Sequence, residues 1–130
     1  MIRMLTRSVK IDSFTFDREL EVLDAQQLLE RCEQSIELAS GLIDEFLNQT
    51  ADDISGLQRA LAAGDVARIA SMAYRIAGAA DAVGAEQTAH IARAIQRSCG
   101  KAAYDTLPLQ VWQLENNTAE LSAAASRMVG

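Results

Sequence analysis

Hydrophobic residues recur at steps of three and four along most of the chain, which is the spacing of amphipathic helices. One run keeps this spacing over residues 35–63, through the polar stretch NQTADD, and predicts a single long helix with Thr50 as the point where it could bend. A second run covers residues 66–83. Gly64 and Gly84 follow the two runs directly, as expected for glycines that end helices in a left-handed conformation. The pattern therefore predicts two long helices joined by a short turn.

Three further runs complete the pattern. A short helix is predicted over residues 24–32 with Asp24 as its N-cap, a fourth helix over residues 85–98, and a last helix over residues 106–128 with Pro108 in its first turn. Four long amphipathic helices with short connections pack most simply as an antiparallel up-down bundle. The sequence thus predicts an all-α fold, a four-helix bundle with a short additional N-terminal helix that covers one end.

Length and charge limit what this bundle can be. The chain has 130 residues, which suits one domain, and a net charge of −6 at pH 7, which argues against a nucleic acid or an anionic membrane as partner. Residues 1–16 carry no sustained period and are predicted to form a loosely ordered arm, which leaves residues 17–130 for the bundle. No stretch reads as a signal peptide or a transmembrane span, so a cytoplasmic location is expected.

The cysteine and acidic residues do not recur at the short intervals along the chain that are typical of metal or redox sites. Cys32 and Cys99 fit neither a metal site nor a disulfide framework and are interpreted as free thiols that fill apolar space. Four acidic residues that could be considered as metal ligands also lack the spacing and are interpreted as solvated charges or helix caps, namely Asp52, Asp53, Asp81 and Glu86. We therefore expect no metal site and no cofactor.

The outer side of the third predicted helix has an unusual composition. Tyr74 stands away from the core stripe, and the residues around it are small or short, namely Ala67, Ala70, Ser71, Ala77, Gly78 and Asp81. A glycine inside a helix costs about 1 kcal/mol relative to alanine, so Gly78 needs a reason. The close approach of another backbone is the best one. That backbone could belong to a partner protein or to a neighbouring helix of the same bundle.

The same segment resembles the signature of histidine phosphotransfer (Hpt) domains. That signature runs alanine, histidine, any residue, leucine, lysine, glycine, two small residues and, farther on, a glycine–alanine pair. This chain offers Ala73, Tyr74, Arg75, Ile76, Ala77, Gly78, Ala79, Ala80, Gly84 and Ala85. Family-like residues also stand at Phe46, Leu57, Ala60, Leu61, Gly64, Asp65, Ile91 and Ile95. The resemblance spans residues 22–96 and implies the same four-helix bundle.

Two departures from the signature fall on its chemistry. The resemblance places Tyr74 at the phosphoacceptor histidine and Ala77 at the lysine that helps to neutralise the phosphoryl group. A tyrosine hydroxyl is protonated near neutral pH, and its phosphate ester is a poor donor to an aspartate. Without a cation at Ala77, the developing phosphoryl charge also lacks electrostatic support. Phosphotransfer through Tyr74 is therefore not expected.

The resemblance then implies a two-component signalling module that is not an enzyme. It would bind the receiver domain of a response regulator or hybrid kinase without passing on phosphate. The expected contact residues are Ala67, Ala70, Ser71, Tyr74, Arg75, Ala77, Gly78 and Asp81, with Arg75 and Arg68 meeting acidic groups at the rim of the partner.

Two alternatives stay open at the sequence level. His90 is the only histidine, and helical phase puts it opposite the inward stripe of the fourth helix, so an active phosphotransfer protein would have to use it. A structural or adaptor bundle is the other alternative, with a dimer contact through the last helix or the alanine-rich faces. The expected oligomeric state is a monomer or a weak dimer, and Trp112 is a further candidate contact residue.

Overall fold

The computed structural model describes residues 20–129, and the predicted arm of residues 1–16 lies outside them. No strand occurs in this part of the chain. The five α-helices are α1 (Ala25–Arg31), α2 (Ile36–Ala63), α3 (Val66–Val83), α4 (Glu86–Gly100) and α5 (Leu107–Val129), with a 3-10 turn over Tyr104–Thr106 before α5. The all-α prediction is confirmed.

Side-chain caps and left-handed glycines fix the helix ends where the sequence predicts them. The carboxylate of Asp24 accepts the N–H of Gln27 at 3.0 Å, and the hydroxyl of Ser35 accepts the N–H of Leu38 at 3.1 Å. Gly64 ends α2 with φ 70° and Gly84 ends α3 with φ 78°. Because these signals are local, the sequence alone locates most helix ends.

Several helix boundaries differ from the prediction by one or two residues. Helix α4 continues to Gly100, beyond the predicted end at residue 98. Helix α5 begins at Leu107 because Thr106 still belongs to the 3-10 turn, where its hydroxyl donates to the carbonyl of Ala103 at 2.8 Å. This local hydrogen bond holds Thr106 outside the regular helix.

The four long helices form a closed ring of contacts. Helix α3 packs against α2 and α4, and α5 packs against α4 and α2, so each long helix has two neighbours. Short connections make consecutive helices run in opposite directions, as the up-down bundle requires. The main core contains residues from all four, among them Leu57, Ile69, Ile76, Ile95 and Leu114. Burying each such side chain contributes about 1.5–3 kcal/mol.

Helix α1 covers a second region of the core. Leu28 and Cys32 of α1 are buried against Ala39 and Ile43 of α2 and against Ala125 of α5. Cys32 and Cys99 are both buried free thiols, as expected from the sequence. Desolvation by burial raises the pKa of the Cys99 thiol. Both cysteines therefore act as small apolar residues.

A chain of buried polar side chains links α4 to α5 and to the segment before α1. Thr88 donates its hydroxyl hydrogen to Asn117, and the Asn117 amide donates to Gln87 at 2.9 Å. Gln87 in turn donates to the carbonyl of Leu20 at 2.8 Å. Among the described residues no buried side-chain nitrogen or oxygen lacks a partner. The network therefore fixes the relative position of these segments without an unpaired group.

No helix within residues 20–129 is both long enough and apolar enough to cross a bilayer.

Candidate functional site: the outer face of α3

Tyr74 stands on the solvent side of α3. Its side chain is 71% exposed, whereas Ala73 and Ile76 beside it are fully enclosed in the core. The core stripe of α3 turns toward α2 and α4, so a residue about 120° away from its centre must point outward. The predicted outward position of the phenol is confirmed.

Gly78 lies one turn after Tyr74, and no helix of the bundle covers it. A Cβ atom added at Gly78 would meet nothing within 4 Å. Within residues 20–129 no helix packs at Gly78, so the interpretation that Gly78 admits a neighbouring helix of the bundle is wrong. Gly56 of α2 has that role instead, because a Cβ there would collide with the side chain of Met72 on α3.

The other predicted contact residues divide by burial. Ala67 and Ser71 are exposed, and Ala70 is half-buried against the main core. Ala77 is only 3% exposed and belongs to the main core, so its predicted place on the surface is wrong. The reason is that α3 packs against two neighbours, so its buried arc is wider than one stripe of residues. The term "outer face of α3" denotes the remaining residues, namely Ala67, Ala70, Ser71, Tyr74, Arg75, Gly78 and Asp81.

Arg75 is held by a buried carboxylate of the same chain. Its Nη2 lies 2.7 Å from Oδ1 of Asp53, whose side chain is 6% exposed, while the Arg75 side chain is 60% exposed. The amide of Gln49 also donates to Oδ1 of Asp53, at 3.3 Å. The hydrogen bond to Asp53, together with its negative charge, raises the pKa of Arg75.

The interpretation of Asp53 as a solvated charge is therefore wrong. Asp53 continues the inward spacing of α2 from Thr50 to Leu57 in steps of three and four, and this phase carries it into the interface with α3. Burial of its charge is tolerated because two donors surround it. The sequence held this signal, since Asp53 stands at a core position opposite an arginine-bearing helix.

Asp81, at the end of the outer face, is tied to two other helices. Its carboxylate forms an ion pair with Arg93 of α4. Its backbone carbonyl accepts from Nη1 of Arg31 at 3.0 Å, and the carbonyl of Ala82 accepts from the same atom at 2.8 Å. The Asp81 carbonyl also accepts the N–H of Gly84 at 3.3 Å, so Arg31 adds a second donor there and supplies a donor to the Ala82 carbonyl in the last turn of α3. This role of Arg31 was not predicted from the sequence, although a basic residue in the last turn of α1 was the available signal.

His90 lies on α4, away from Tyr74. It is half-buried rather than fully outward, and it lines a depression of about 430 Å³ together with Arg31, Arg93 and Arg97. This hollow, which we call the basic depression, reaches Asp81 but does not include Tyr74. The two candidate acceptors of a phosphoryl group therefore occupy different sites. Within the described residues, no group of three or more histidine, cysteine or acidic side chains could hold a metal ion.

Comparison with protein families identifies the type of domain. The family model described as "Hpt domain" matches residues 41–126, which is more than half of the chain. The chain belongs to the Hpt domain family. The match begins inside α2 and ends inside α5, so it contains all of α3 and α4 and leaves out α1. Searches of curated proteins and of solved structures each returned no match to this chain.

Membership gives the coarse function. Hpt domains are phosphotransfer carriers in signalling rather than classical enzymes, and this chain is accordingly a phosphorelay signalling module. Hpt domains generally interact with the receiver domains of response regulators.

Proposed function

We propose that this Hpt domain binds receiver domains through the outer face of α3 and does not itself carry a phosphoryl group. The observation that supports the proposal best is the exposed phenol of Tyr74 beside the uncovered Gly78. The partner would be the receiver of a response regulator or hybrid kinase, encountered in the cytoplasm.

The shape of this face suits a protein partner. Around Tyr74 the side chains are short, so a flat backbone or loop can approach α3 closely at Gly78. Tyrosine combines a large contact area with few rotatable bonds and is frequent at binding hot spots. Arg75 adds a charge beside it, and its bond to Asp53 restrains it before any partner arrives. These features support binding of a protein partner at this face.

The chemistry at this face does not favour phosphotransfer. The proposal takes Tyr74 to occupy the place of the phosphoacceptor histidine and Ala77 the place of the assisting lysine. Ala77 is buried and uncharged, so it offers nothing to a phosphoryl group at Tyr74. Arg75 already donates a hydrogen bond to Asp53. The face around Tyr74 and Gly78 is open to a partner but has no histidine or lysine for phosphotransfer. This combination supports a role in recognition.

The binding test uses two exposed glycines. Gly78→Leu places a bulky side chain in the middle of the outer face, and Gly41→Leu makes the same change on α2, where an added Cβ also meets nothing within 4 Å. Titration calorimetry against the receiver domains of the same organism measures the effect. We expect the unaltered chain to bind at least one receiver, Gly78→Leu to weaken that binding about tenfold or more, and Gly41→Leu to leave it unchanged.

Three results would count against the proposal. Binding to none of the receivers would remove it. Equal binding by Gly78→Leu and the unaltered chain would move the contact elsewhere and favour a structural or adaptor bundle. Equal weakening by both variants would point to a general effect of added leucine rather than to the outer face of α3.

A further inference from the structure

The basic depression is a second place on this molecule where a ligand could bind. It lies where the end of α1 meets the end of α3 and the exposed side of α4, and its volume is about 430 Å³. Arg31, His90, Arg93 and Arg97 line it, together with the acidic residues Asp81 and Glu86. A hollow of this size is within the range of small-molecule sites.

Positive charge is concentrated here on a chain that is negative overall. Three arginines face two acidic residues in the depression, whereas the whole chain carries a net charge of −6. Both acidic side chains are already engaged. Glu86 accepts the backbone N–H of Glu21 at 3.0 Å, and Asp81 is paired with Arg93. Glu86 keeps its negative charge while it accepts this hydrogen bond, so the three arginines exceed the two carboxylates of the depression by one positive charge.

The arginines retain unused donors. Arg31 spends only Nη1 on the two carbonyls at the end of α3, and within residues 20–129 its other N–H groups have no partner. The guanidinium of Arg97 has no hydrogen bond or ion pair with any residue of the described chain. Two such cations line one hollow, and this composition suits an oxyanion, because the guanidinium fork binds carboxylate and phosphate oxygens in pairs.

We infer that the basic depression binds a small oxyanion, a phosphate or carboxylate group, between Arg31 and Arg97. This site is separate from the outer face of α3, with Asp81 at the border between them, and it does not depend on receiver binding. An anion bound here would also help to hold Arg31 in place on the carbonyls of Asp81 and Ala82 at the end of α3.

The test uses the full chain with two probes, inorganic pyrophosphate and citrate, titrated at constant ionic strength and followed by calorimetry. We expect saturable binding of one anion per chain. Arg97→Gln removes the arginine that has no partner among residues 20–129, so it should weaken binding about tenfold without loss of the fold. Arg59→Gln is the matched control, because Arg59 is an exposed arginine on α2 that does not line the depression.

The two probes distinguish the source of the oxyanion. Tighter binding of pyrophosphate assigns a phosphate-bearing ligand, and tighter binding of citrate assigns a carboxylate. The inference is overturned if neither probe saturates the chain, or if Arg59→Gln and Arg97→Gln weaken binding equally, since that would mean diffuse attraction to surface charge. Receiver binding by Arg97→Gln should be unchanged, so failure of this inference and failure of the proposed function can be told apart.

Discussion

Single side chains decide which signalling chemistry this domain can perform. A phosphoryl carrier needs a nucleophile that is exposed, largely neutral and able to pass the group on, which imidazole provides near pH 7. Tyr74 is exposed but carries a phenol, and the described part of α3 contains no histidine. His90 is the only imidazole of the chain and lies in the basic depression. A labelling experiment therefore separates recognition from transfer.

We expect no phosphoryl label, neither acid-labile nor acid-stable, on this chain after incubation with a receiver domain charged by acetyl phosphate. The physical reason is that the phenol of Tyr74 is a poor acceptor from an aspartyl phosphate and has no assisting cation at Ala77. Label is measured after acid and alkali treatment, which distinguish phosphohistidine from phosphotyrosine. Acid-labile label that disappears in His90→Gln would show that the chain is an active carrier and that the basic depression is its acceptor site.

The buried charge of Asp53 should contribute to the free energy of unfolding, whereas the exposed charge of its neighbour Asp52 should not. Asp53→Asn keeps the size of the side chain but removes the charge that Arg75 and the Gln49 amide both contact. We expect the free energy of unfolding in urea to fall by about 1–3 kcal/mol, the usual cost of weakening a buried hydrogen-bonded charge. The neighbouring Asp52 is exposed, so Asp52→Asn should change stability by no more than about 0.5 kcal/mol. Similar free energies of unfolding for Asp53→Asn and Asp52→Asn would contradict a stabilising contact between Asp53 and Arg75.

At the level of helices, the sequence predicted existence, order and most ends correctly because the signals are local. Caps such as Asp65, whose carboxylate accepts the N–H of Arg68 at 3.1 Å, require only neighbouring residues. The placement of Ala77 failed for the opposite reason. Its burial depends on how closely α2 and α4 approach α3, and that distance is set by tertiary contacts such as Gly56 against Met72. Spacing gives the centre of a buried stripe but not its width.

The two glycines that end α2 and α3 offer a test at this scale. Both adopt positive φ, so Gly64→Ala and Gly84→Ala should each lower the free energy of unfolding by about 1–2 kcal/mol through backbone strain. Gly84→Ala should cost more, because its added Cβ would also lie 3.0 Å from the carbonyl oxygen of Asp24, whereas Gly64 has open space. Thermal and chemical denaturation measure the difference. Equal decreases in the free energy of unfolding would mean that the Asp24 carbonyl moves away from the added Cβ at no measurable energetic cost.

For the molecule as a whole, the bundle was predictable and the surface sites were predictable only in part. Repeated apolar spacing over four long runs leaves few other ways to bury the core, so the fold follows from periodicity. Tyr74 and Gly78 were placed correctly because their exposure follows from the phase of one helix. The basic depression could not be predicted, because Arg31 and Arg97 are far apart in sequence and only the docking of α1 brings them to one hollow.

The oligomeric state, expected to be a monomer or a weak dimer, stays a prediction. Leu109 and Trp112 expose apolar surface on α5, where a dimer contact would lie.

The attachment of α1 has a practical consequence for the extent of the domain. Helix α1 holds the turn after α3 from both of its ends, through the N–H of Asp24 on the carbonyl of Gly84 at 2.8 Å and through Arg31 on Asp81 and Ala82. A chain trimmed to residues 41–126 would lose α1 and both sets of hydrogen bonds. It would also expose the apolar residues of α2 and α5 that α1 covers. We therefore expect the domain to be less stable when it is trimmed to the segment that the family model matches.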